Sequence, residues 1–284
     1  MLYCRQLMRF ANVVIVGLGL ISVAIAVSMS WNWRQLPLHA RFATDPESNW
    51  RDRFRDAAQT VGAAFSAGAI AGVLVLGLVG RLVMRTLGAT SSHAQGRLTE
   101  AGETVGEITS GGTIGFLLFV GLLGGIVSAG GYLIIRSWLP TKAGSAGLIF
   151  GILVIGTLGV SDALSPDNID FAILEPLWLA ILLIIATGFL FAATFTALAA
   201  RLDQFAQTPE RRRGLLYPVF VLGAVPPVAV ALVAHIGIRT FTSNRLFSIT
   251  QSARVRSVGR IVLAVGTFAT AYLATSAAIE ILTA

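Results

Sequence analysis

Charge is scarce in this sequence. Only 12% of its 284 residues are charged and 55% are hydrophobic, whereas a soluble domain is about 25% charged. Charged side chains keep a folded surface in water, so this composition excludes an ordinary soluble protein and points to lipid as the solvent.

The residues that most catalytic and metal sites need are also few. Cys4 is the one cysteine, which excludes an internal disulfide and a Cys-pair metal site. Lys142 is the one lysine and is followed by alanine, so no ATP-binding Walker sequence exists. His39, His93 and His235 lie too far apart for a His-Glu-x-x-His zinc motif, and no G-x-S-x-G nucleophile turn occurs. The sequence predicts no catalytic residue, metal or cofactor, and favours a non-enzymatic protein.

The basic residues lie between long apolar blocks. The net charge is +7 and the pI about 10.7, but this placement is typical of loops that flank a membrane rather than of nucleic-acid binding. Each block approaches the roughly 20 helical residues that a hydrocarbon core of about 30 Å requires. We therefore predict a single all-α, multi-pass bundle over residues 1–284 in the cytoplasmic (inner) membrane. Its transmembrane helices are expected at about 11–30, 57–80, 112–135, 144–161, 177–200, 216–238 and 258–282.

The first block has two interpretations. Ala24-Ile25-Ala26 resembles a signal-peptide cleavage site. The length of the block and the tryptophans that follow it, Trp31 and Trp33, favour a retained helix.

The loop charges conflict about orientation. The connector 162–176 has no basic residue, which favours an external position. Arg5 and Arg9 favour an amino terminus inside, which is the orientation that we expect here. Seven crossings would then place the two ends on opposite faces.

Small residues recur at helical spacing in three blocks. Ala64, Gly68 and Gly72 are four apart, as are Gly121 and Gly125, and Gly147 and Gly151. Such stripes let helix backbones approach closely, which favours contacts between helices of one chain. A homodimer or another membrane protein could instead use these glycine-rich faces.

Residues 96–109 separate the second and third blocks. Apolar and polar residues partly alternate on either side of Ala101-Gly102, which can supply a turn. We expect a small β-hairpin that caps one membrane face.

Two places in the apolar blocks carry candidate functional residues. Pro226 and Pro227 break the sixth block and can expose backbone carbonyls to a substrate or ion, and His235 follows them. Glu280 is the acidic residue of the last block. His235 beside Arg239 and Glu280 near the block's end also fit ordinary interfacial side chains. The acidic connector with Asp162, Asp167, Asp170 and Glu175 matches no calcium-loop pattern and fits a solvated linker.

Several short motifs resemble a group of uncharacterised bacterial multi-pass membrane proteins from high-GC lineages. They are GRLVMR at 80–85, GRLT at 96–99, GEIT at 106–109, GGT at 111–113 and WLP at 138–140. The likeness covers about residues 60–140. It implies a multi-pass membrane topology and no particular activity.

Two function classes follow from these patterns. The first is a non-enzymatic membrane protein, either a small-solute permease or a structural or accessory subunit. The alternative is a membrane-embedded enzyme acting on a lipid or isoprenoid, which needs acidic or histidine clusters that the blocks lack.

Overall fold

A computed structural model of the protein describes residues 2–38, 50–100, 102, 104–105, 109–205 and 253–283. The described residues are helical and form no β-strand. The α-helices, numbered in chain order, are α1 (Leu2–Trp33), α2 (Trp50–Ala71), α3 (Gly80–Thr90), α4 (Ser110–Phe116), α5 (Gly124–Ile135), α6 (Ala143–Val154), α7 (Leu177–Phe205) and α8 (Ala253–Thr283). Three π-helical segments extend or join them: Gly72–Val79, Leu117–Leu123 and Ile155–Gly159.

Five continuous helical stretches are long and apolar enough to cross a bilayer, as expected of an integral membrane protein. They are Val13–Trp33, Ala57–Thr90, Ser110–Ile135, Leu177–Phe205 and Val255–Thr283. A shorter apolar helix spans Ala143–Gly159. These six match six of the predicted blocks, whereas 216–238 lies outside the described residues, so the count of seven is not confirmed.

Contacts between helices define two ends of the bundle. Arg201 of α7 lies over the ring of Trp33 at the carboxyl end of α1, and we call this end face A. Ser91, after α3, bonds Glu175, before α7, and this end is face B. Gly19, earlier in α1, contacts Leu82 of α3. Helix α1 therefore runs parallel to α7, from face B to face A.

The last described helix runs in the opposite direction. Gly259 near the start of α8 contacts Trp138 at face A. Ile281 near its end packs in a cluster with Leu164 and Ile181 at face B. The amino end of α1 and the carboxyl end of α8 therefore lie on the same face, which differs from the expectation of opposite faces.

The glycine stripes are contacts within the chain, as predicted. A Cβ atom on Gly125 would overlap the carbonyl oxygen of Gly68, and one on Gly72 would overlap that of Gly121. Gly147 faces Ala193 and Thr196 of α7 in the same way. Only glycine permits such backbone contact, which gains dispersion energy and Cα–H···O contacts. Contact of these glycine-rich faces with a second chain stays a prediction.

The described residues after α3 include a tight turn. Leu98 and Thr104 make an isolated antiparallel bridge, and Gly102 has a positive φ of 74° that favours glycine. The backbone N–H of Glu100 donates to the Asp170 carboxylate at 2.9 Å. The predicted hairpin is not confirmed, but the turn does dock on the acidic connector at face B.

Ser91 is the main link between this segment and α7. Its hydroxyl is fully buried, donates to the carbonyl of Glu175 at 2.9 Å and accepts from the Glu175 N–H at 2.7 Å. We expect Ser91→Ala to lower the free energy of local opening at face B by about 1–3 kcal/mol, because both backbone groups lose their partner. Hydrogen exchange at the Glu175 amide would accelerate, while Ser92→Ala, at an exposed neighbour, would leave it unchanged. Equal exchange in both variants would contradict this role.

Candidate functional site

An ion pair lies inside the bundle near face A. The guanidinium Nη2 of Arg136 donates to the Oδ2 of Asp203, and the two side chains are only 4% and 6% exposed. Arg136 follows the last residue of α5, and Asp203 lies in the last turn of α7. The pair therefore joins two helices whose residues are 67 apart in sequence.

Arg136 continues a polar stripe along one face of α5. Ser128, Tyr132 and Arg136 are four apart, so they lie one above another on the helix. Eight residues at 1.5 Å each carry this stripe about 12 Å from the ion pair into the apolar bundle. We use the name polar stripe for these three residues.

Two hydroxyls of the polar stripe have no hydrogen-bond partner among the described residues. Ser128 and Tyr132 are 4% and 0% exposed, and neither hydroxyl bonds any group in the described part of the chain. The threonines of α7 behave differently: Thr187, Thr194 and Thr196 each donate to a carbonyl of their own helix. A buried hydroxyl without a partner costs about 1–3 kcal/mol. These two groups are therefore unusual for a membrane helix.

Gln59 of α2 adds a third unsatisfied group at about the same level. It is 3% exposed, and neither Nε2 nor Oε1 has a partner among the described residues. One turn later on α2, Ala63 packs against Leu202, the neighbour of Asp203. Gln59 therefore lies toward face A, near the level of the ion pair.

Aromatic rings surround the middle of the polar stripe. The ring of Tyr132 meets Phe150 of α6 and Phe195 of α7 edge-on, at centroid distances of 5.7 and 4.9 Å. Phe191 packs on Phe195 at 6.0 Å. These rings separate the stripe from lipid on the side of α6 and α7, so its polar atoms sit in an apolar, low-dielectric surrounding.

This arrangement places amide, hydroxyl and charged groups inside an apolar bundle. The described residues include no group of three His, Cys, Asp or Glu side chains placed to hold an ion. Gln59 and Tyr132 together offer amide and hydroxyl donors and acceptors. The Arg136–Asp203 pair adds one charge of each sign.

Of the candidate functional residues singled out from the sequence, Glu280 alone lies in the described part of the chain. His235, Pro226 and Pro227 lie outside the described residues. Glu280 is exposed on α8, one turn from its end at face B, whereas the ion pair is at face A. Its proposed role in a substrate or ion pathway stays a prediction.

The sequence did contain a signal for the polar stripe. Serine, tyrosine and arginine at positions i, i+4 and i+8 share one helix face within an otherwise apolar run. The partner Asp203 could not be found this way, because only the packing of α5 against α7 brings it to Arg136.

An apolar groove opens on the outside of the bundle beside the Gly72–Val79 segment. It has a volume of about 390 Å³. Its lining is almost wholly apolar and comes from Ala69, Ile70, Val73, Leu74, Leu78 and Leu122. Such a surface suits contact with lipid chains and offers no polar chemistry.

No family model, curated protein or solved structure matches the chain. The resemblance to the bacterial membrane group therefore stays a prediction, and the functional argument rests on the geometry alone.

Proposed function

We propose that the protein is a non-enzymatic membrane protein that moves a small polar solute across the cytoplasmic (inner) membrane. The polar stripe, Gln59 and Asp203 would form its solute site. The observation that carries this proposal is the set of buried polar atoms of Gln59, Ser128 and Tyr132 that have no partner among the described residues.

Unsatisfied buried groups are informative because they destabilise the fold. Apolar side chains of similar shape would pack without the desolvation cost. A solute that passes through the site would supply the missing partners. A buried ionisable pair near face A also fits a substrate pathway, since buried charges in membrane helices commonly mark such routes.

The free energy of unfolding and the rate of transport should respond differently to a substitution at Tyr132. In Tyr132→Phe, the free energy of unfolding should stay constant or rise by up to about 1 kcal/mol, because an unsatisfied hydroxyl is removed. Solute transport should fall about tenfold, the loss expected for one hydrogen bond worth about 1.4 kcal/mol. Gln59→Leu should behave in the same way.

The measurement compares uptake and efflux across a metabolite panel in a deletion strain that carries each variant. Tyr272→Phe is the matched control, because Tyr272 is 73% exposed on α8 and its change should affect neither quantity. If deletion of the protein leaves uptake and efflux unchanged across the whole panel, the permease proposal is rejected. In that case a fixed partner that co-purifies in mild detergent would favour the accessory-subunit version.

A further inference from the structure

The two faces of the bundle differ in charge. Face A carries ten described basic residues and three acidic ones, Asp52, Asp56 and Asp203. Six of the basic residues begin α2 and α8: Arg51, Arg53, Arg55, Arg254, Arg256 and Arg260. The other four are Arg34, Arg136, Lys142 and Arg201.

Face B has the opposite balance. Its five described basic residues are Arg5, Arg9, Arg81, Arg85 and Arg97. Its six acidic residues are Glu100, Asp162, Asp167, Asp170, Glu175 and Glu280. Among the described residues, face A therefore has a net charge of +7 and face B of −1, with histidine neutral.

Five basic side chains of face A are placed to meet a membrane surface. Arg51, Lys142, Arg201, Arg256 and Arg260 are exposed.

Tryptophans lie beside the basic side chains at the same level. Arg34 lies 3.5 Å from the ring centroid of Trp31, and Arg201 lies 6.0 Å from that of Trp33. Tryptophan favours the headgroup zone of a bilayer. The basic side chains and the tryptophan rings together form a belt that is suited to anionic headgroups.

We propose that face A lies on the cytoplasmic side, where its exposed basic side chains bind anionic phospholipid headgroups. Loops rich in Lys and Arg stay in the cytoplasm, whose leaflet is the more anionic one. Both described ends of the chain then lie outside the cytoplasm. This orientation is opposite to the one expected from Arg5 and Arg9, and it does not depend on a transport activity.

Single cysteines test the orientation in the full-length protein. In a Cys4→Ser background, Lys142→Cys reports face A and Asp167→Cys reports face B, and both positions are exposed. A membrane-impermeant maleimide should label Asp167→Cys in intact cells and label Lys142→Cys only after permeabilisation. Native Cys4, at the amino end of α1, should follow Asp167→Cys. The reverse pattern would overturn the proposal.

Lipid dependence tests the headgroup contact. Adding phosphatidylglycerol to the detergent-purified protein should raise its thermal midpoint, and high salt should remove the rise. The rise should shrink in the double variant Arg256→Gln/Arg260→Gln and persist in the face-B control Arg97→Gln. An equal rise with phosphatidylcholine, or an unchanged rise in the double variant, would show that these side chains do not bind anionic headgroups.

Discussion

Replacing Asp203 by alanine should lower the free energy of unfolding by about 3–5 kcal/mol. The reason is burial: Arg136 and Asp203 are only 4% and 6% exposed, so the variant leaves a guanidinium in the bundle without this carboxylate. The loss exceeds the worth of an exposed ion pair, which is about 0–1 kcal/mol. Reversible unfolding in mixed micelles would measure the difference.

Two controls separate the ion pair from general effects of the substitution. Asp167→Ala removes an exposed carboxylate of the face-B connector and should change stability by less than about 0.5 kcal/mol. The double variant Arg136→Met/Asp203→Leu should recover most of the stability, because it removes both buried charges of the pair. A loss in Asp203→Ala no larger than that in Asp167→Ala would contradict the burial argument.

The double variant also distinguishes a structural from a functional pair. If the pair only joins α5 to α7, the stable double variant should keep its activity. If the pair belongs to the solute site, transport should be lost although stability is restored. Stability and transport measured on one variant therefore decide between the two roles.

The helices and their glycine contacts could be predicted from the sequence, because they follow from local rules. The length of an apolar stretch predicts a membrane helix, and small residues four apart predict a face that contacts another helix. This reasoning anticipates that Gly68, Gly125 and Gly147 lie on contact faces, but it does not predict the partner helix of each stripe.

The candidate site could be predicted only in part. Arg136 looks like a flanking loop charge in the sequence, and Asp203 looks like part of the polar end of α7. Their contact depends on tertiary packing between residues 67 apart. Burial of Gln59 likewise depends on the helices around α2, which no local pattern specifies.

The conflict between the loop charges has a related origin. The loop charges were assigned to faces by counting seven crossings, so one uncertain block moved every later loop to the other side. Contacts such as Trp138 with Gly259 place α8 independently of that count. Once the faces are known, the charge difference between them is clear.

Gly125→Ala should destabilise the protein by about 1–3 kcal/mol, whereas Gly131→Ala in the same helix should not. A Cβ on Gly125 would overlap the carbonyl oxygen of Gly68 and lie 3.0 Å from the Cα of Gly72. Because those atoms are backbone, α2 and α5 must separate along their contact. At Gly131 a Cβ meets nothing within 4 Å.

The control should change stability in the opposite direction. Alanine restricts the unfolded chain more than glycine does, so Gly131→Ala should raise stability by about 0.4–1 kcal/mol. Thermal unfolding of both variants in one detergent would show shifts of opposite sign. Equal shifts would mean that α2 and α5 do not touch through their backbones in the membrane.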